Sequence, residues 1–176
     1  MSHSAAGEPP TAARRVAPVP LDGYSASEWE LLIRLPARVI VAATRAEPGR
    51  PSRGVGEGLA GLAGVAAGRG HDSDLVRAVV AAIYAQPDDG RPDGVPALDR
   101  VHGLMGLLTS CRDAARLLAD RADPADSAAY RQWLQSVAAR VCRAGRTEPP
   151  AAAGPPVDTA ARRRFLELLG EALGLR

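Results

Sequence analysis

The chain has 176 residues, enough for one domain with a substantial core. Hydrophobic residues make up 46% of it, which excludes a disordered chain, and an aromatic share of 3% leaves a core of Ala, Leu and Val suited to helix packing. All 22 positive charges are Arg, interspersed with 20 acidic residues, and the net charge of +2 offers no concentrated basic face of the kind that binds nucleic acid.

Arg without Lys, with abundant Ala, Gly and Pro, is the usage of a GC-rich genome, as in actinobacteria, so an Arg cluster here carries little functional information. Residues 1–20 lack the apolar core of a signal peptide, and no apolar run approaches the 18 residues a membrane span needs. Cys111 and Cys142 fall in apolar helical stretches and read as small buried hydrophobes of a reducing, cytoplasmic compartment.

Residues 1–23, rich in Pro and small side chains, are expected to be a disordered or loosely packed arm, with docking through Val16, Val19 and Leu21 as the alternative. The helical domain spans 24–176. Ser25 with Glu28 forms a capping box, and Trp29, Leu32, Ile33, Ala37, Ile40 and Val41 recur at helical spacing. Pro36 is expected to break this stretch into one helix ending near Leu35 and a second ending near Ala46. Ser52 opens a Gly-rich segment, 53–68, with Leu59, Leu62, Ala63 and Ala66 on one face. Its glycines imply either a weak helix or a small face that a neighbouring helix can approach closely.

Asp72 or Ser73 caps the next helix, with Leu75, Val76, Val79, Val80 and Ile83 as its stripe, and turn residues fill 86–96. The longest helix, 97–120, turns Leu98, Val101, Leu104, Met105, Leu108, Cys111, Ala115 and Leu118 inward. Asp123-Pro124 opens a helix with an inner face of Tyr130, Trp133, Leu134, Val137, Ala138, Val141 and Cys142. Asp158 caps a last helix with Phe165, Leu168, Leu169, Ala172 and Leu173, stopped by Gly174. No strand pattern competes, so the fold class is all-α: a single-domain bundle of about six or seven helices.

Residues 39–67 and 137–173 share a plan: an Ala-rich helix, a Pro/Gly/Arg loop, a cap, then a Leu-spaced helix. The second stretch, VAARVCRAGR followed by PPVDTAARRRFLELLGEALGL, resembles the helix–loop–helix of the tellurite-resistance TerB-like superfamily. The resemblance covers about a third of the chain and implies a small all-helical domain. Members of that superfamily carry acidic loop residues implicated in metal binding. The corresponding loops here contain Arg45, Glu47, Arg143 and Arg146, basic where acids are wanted, so no metal and no cofactor are expected.

Catalytic constellations are sparse. A di-iron bundle needs paired Glu-x-x-His motifs, and the nearest approach is Asp99-x-x-His102, a weak acid–base or metal candidate without a second pair. His71-x-x-Asp74 reads as cap and solvent contact. Ser110-Cys111 lacks the adjacent base that a nucleophile needs, and Gly54–Gly58 lacks the strand and Gly-Lys of a phosphate loop. Glu57, the one acid in its Gly-rich helix, would act as acid or base if it faced a cavity; facing solvent, it would be inert. Trp29, Tyr84, Tyr130 and Trp133 are the large groups that could line a ligand cleft, with core packing as the competing use. Arg162-Arg163-Arg164 reads as a solvated helix face rather than a DNA contact.

Three functions compete on this reading. The first is a non-catalytic module acting by protein–protein contact, as a homo-oligomer or with another protein. The second is a cofactor-independent enzyme (cyclase or isomerase) or small-molecule binder of actinobacterial specialised metabolism, built on Glu57, His102 and Trp133. The third is a DNA-binding regulator using Arg162 to Arg164.

Overall fold

Apolar residues at steps of three and four fold into six α-helices among the described residues. The computed structural model describes residues 23–46, 54–86, 100–144 and 157–175, with the backbone alone in the first turns of the fourth and sixth helices, and among the described residues there is no strand. The elements are α1 (Ala26–Thr44), α2 (Gly54–Ala67), α3 (Asp74–Ala85), α4 (Arg100–Arg121), α5 (Pro124–Ala144) and α6 (Val157–Ala172), with a 3-10 turn, Gly68–Gly70, between α2 and α3. α5 is the axis of the bundle and packs against each of the other five helices. α1 lies against α2, α3, α4 and α5, and α6 closes on α4 and α5. The expected arm, apart from Gly23, and the caps Ser52 and Asp158 lie outside the described residues or side chains.

Local chemistry sets the helix ends. The Ser25 amide donates to Glu28 Oε2 at 2.7 Å, and the Glu28 amide donates to Ser25 Oγ at 3.3 Å, closing the capping box. Ser73 Oγ accepts from the Val76 amide at the start of α3, and Asp123 Oδ1 accepts from the Ala125 amide at the start of α5. α6 ends as expected at Gly174, whose φ of 66° suits glycine. The Leu175 amide there donates to the Gly170 carbonyl and the Gly174 amide to that of Glu171, the Schellman pattern.

Pro36 does not break its helix. α1 runs unbroken through it to Thr44, correcting the expectation of two helices. Proline has no amide proton, so the carbonyl four residues back, that of Leu32, loses its helical donor. The hydroxyl of Tyr130 on α5 donates to that carbonyl at 2.7 Å. Tyr130 is fully buried, and burial pushes its phenol well above its usual range, which keeps the proton in place for donation. A tertiary bond replaces the one that proline removed.

An unbroken α1 also changes its inner face. Trp29, Leu32, Ile33, Leu35, Pro36, Val39 and Ala43 are buried, whereas Ala37 and Val41, members of the predicted apolar stripe, are exposed. In α4 the buried set is Leu107, Leu108, Cys111, Ala114 and Leu118, and Met105 is exposed, again against expectation. The α5 face is buried in full from Tyr130 to Cys142, as its spacing predicts.

Candidate interaction face

α2 is an improbable helix by propensity. Its 14 residues include five glycines, each costing about 1 kcal/mol relative to Ala, so packing rather than intrinsic preference holds it in place. The packed side is the glycine side. A Cβ on Gly61 would stand 2.7 Å from Ile40 Cγ1 on α1, and one on Gly64 would stand 3.4 Å from the Val137 Cα on α5. Just past the helix, a Cβ on Gly68 would stand 2.8 Å from Val80 Cγ2 and 2.9 Å from Trp133 Nε1. Trp133 Nε1 donates to the Gly64 carbonyl at 3.3 Å, so the α5 ring is fastened to bare backbone.

The leucines face the other way. Val55, Leu59 and Leu62 are 78%, 61% and 56% exposed, Ala63 is exposed and Ala66 is half-buried. Leu59, Leu62 and Ala63 share one face, as their spacing predicts, and that face turns outward for a simple reason. A side chain the size of leucine would hold α2 away from α1 and α5, and only glycine permits the observed approach. The result is a helix apolar on both sides, one covered and one bare. Val41 on α1, adjacent to the Ile40 that meets Gly61, is 44% exposed.

The one ionisable residue of α2, Glu57, is turned away from solvent. Arg162 of α6 holds it, with Nη2 at 3.1 Å from Glu57 Oε1 and with side-chain exposures of 8% for Arg162 and 13% for Glu57. Arg162 Nη1 also donates to the Cys142 carbonyl at 3.2 Å, in the last turn of α5, where unpaired carbonyls favour a cation. Arg162 is therefore buried, which corrects the reading of its triplet as a solvated face. Arg163 and Arg164 are exposed and approach Glu167.

The other candidates scatter. Asp99 lies outside the described residues, and His102 is in the first turn of α4, where only backbone is described. Tyr130 and Trp133 meet in the core with ring centroids 5.8 Å apart, while Trp29 packs on Tyr24 and leaves its buried Nε1 without a hydrogen bond. Tyr84 is exposed beneath the Arg69 guanidinium, 3.9 Å from the ring centroid. Ser73, His71 and Asp126 do come together, but in the wrong order for catalysis. Ser73 Oγ donates to Asp126 Oδ1 at 2.5 Å, and His71 Nδ1 accepts from the Ser73 amide at 3.1 Å, so the histidine takes nothing from the hydroxyl. Among the described residues no three His, Cys, Asp or Glu side chains cluster to hold a metal.

Cys111 is fully buried, and burial pushes its thiol up to about 12 despite the opposing pull of Arg38 and Arg112. An aromatic disulfide reagent at pH 8 is therefore expected to leave Cys111 unlabelled, by peptide mass analysis, until the protein unfolds. The folded chain favours the neutral thiol. The associated stability is full below the unfolded value of 9.0 and is lost as pH rises from there toward about 12.

Sequence reasoning missed the Glu57–Arg162 pair and the direction of α2. The spacing Gly61-x-x-Gly64-x-x-x-Gly68, which places three glycines on one helical face, is the signal that could have revealed the second. Comparison of the chain with protein-family models, with curated proteins and with solved structures finds no match in any of the three.

Proposed function

We propose that the protein is a non-catalytic helical interaction module that works by protein–protein contact through the outer face of α2. The observation that carries this is the bare stripe of Val55, Leu59 and Leu62 on a helix whose opposite side already packs on the bundle. Large apolar side chains grouped on one exposed face mark contact surfaces, whereas scattered ones do not. The polar groups support the same reading. Glu57 is engaged by Arg162, and the Ser73 hydroxyl by Asp126, so each serves to join helices.

A photo-crosslinking amino acid placed at position 62 and irradiated in the native cell is expected to give protein adducts, with none from the same group at Arg163. Adducts of equal yield at both positions, or none at either, would remove the proposal.

A further inference from the structure

We propose that the occupant of this face is a second copy of the chain, packed antiparallel on α2 about a two-fold axis. The inference rests on the reading of the α2 face as a contact surface and names its partner. The first support is the spacing. Val55, Leu59, Leu62 and Ala66 follow one another at intervals of four, three and four, a series that reads the same in both directions. A two-fold axis between Leu59 and Leu62 lays each Leu59 beside the partner's Leu62, and each Val55 against the partner's Ala66. The flanks obey the same symmetry. Gly58, where a Cβ would meet nothing within 4 Å, comes opposite the partner's Ala63, and such small residues allow the helices to close to about 8 Å.

Charge selects the same occupant. The stripe presents no ionised group, because the single charge on α2 is turned inward to Arg162. A charged partner finds nothing to pair with there, while a copy related by two-fold symmetry meets no like-charge repulsion. Antiparallel packing also opposes the two helix dipoles. A lipid surface is a poorer fit, since membrane-lying helices carry Lys or Arg beside the apolar face and α2 has none.

Size sets the strength. A helix of 14 residues is about 21 Å long, and its single seam falls short of the roughly 600 Å² per partner that a stable interface buries. The contact is therefore a reversible one, with a Kd of about 1–100 μM.

Sedimentation velocity on the full chain, from about 1 μM to about 1 mM, is expected to show a monomer–dimer equilibrium in that range. Leu62→Glu should weaken it at least about tenfold, since the dimer would bury each new carboxylate against the partner's Leu59, while the unfolding midpoint holds because the residue is exposed. Register has its own readout. Leu59→Cys mixed with Leu62→Cys should oxidise to a disulfide dimer far faster than either variant alone, with the native cysteines buried out of reach. A dimer that tolerates Leu62→Glu, or that links each cysteine variant to itself, overturns the proposal. A chain that stays monomeric also overturns it. If such a monomer still gives photo-adducts with another protein, or sediments with zwitterionic vesicles, the face belongs to that occupant instead. A monomer with neither removes the interaction reading as well.

Discussion

Arg162→Leu is expected to cost about 3–5 kcal/mol of folding free energy, read from urea denaturation, and adding Glu57→Leu to recover most of it. The single change leaves the Glu57 carboxylate, largely buried, without the guanidinium 3.1 Å away that now balances it. Removing both charges replaces a desolvated ion pair with apolar groups, which proteins tolerate far better than half of a pair. The pair joins residues 105 apart in the chain, and Arg162 also reaches the Cys142 carbonyl, so it fastens α2, α5 and α6 at one point. A single-variant cost below about 1 kcal/mol would show that water reaches Glu57 well enough to stand in for arginine.

The second large effect concerns the bond that lets α1 pass through Pro36. Tyr130→Phe removes the hydroxyl that donates to the Leu32 carbonyl and should cost about 1–3 kcal/mol, the penalty for a buried acceptor left unsatisfied. The same change in a Pro36→Ala background should cost less than about 1 kcal/mol, because an alanine at that position supplies the helical amide that proline lacks. The pair of costs is the measurement, taken as a double-mutant cycle of unfolding free energies. Equal costs in the two backgrounds would mean that the hydroxyl and the proline are unrelated.

These two contacts also mark where the sequence stopped being legible. The α5 face and the capping box at Ser25 could be read directly, because their signals lie within a few turns of one helix. Pro36 signals a break by every local rule, and what overrides it is a hydroxyl 98 residues away from the carbonyl it serves. α2 was legible only in part. Its glycines signalled either a weak helix or a face open to close approach, and the contacts at Gly61 and Gly68, which favour the second, come from residues on other helices. Leu59 and Leu62 could be placed on one face by spacing, but spacing does not say whether that face is covered. Glu57 was singled out for being alone on its helix, but the partner that decides its chemistry lies on α6.

The place of α5 at the axis has a consequence for how the chain emerges from the ribosome. α2 ends at Ala67 and α5 ends at Ala144, so 144 − 67 = 77 further residues must be made before the helix that covers the glycine side of α2 is complete. At about 5–20 residues per second this is an interval of roughly 4–15 s. For that time the glycine side of α2 lacks its α5 cover, and a five-glycine helix has little propensity to persist without it. Synthesis thus passes through a stage in which α2 waits, sticky and unformed, for a helix still to be made.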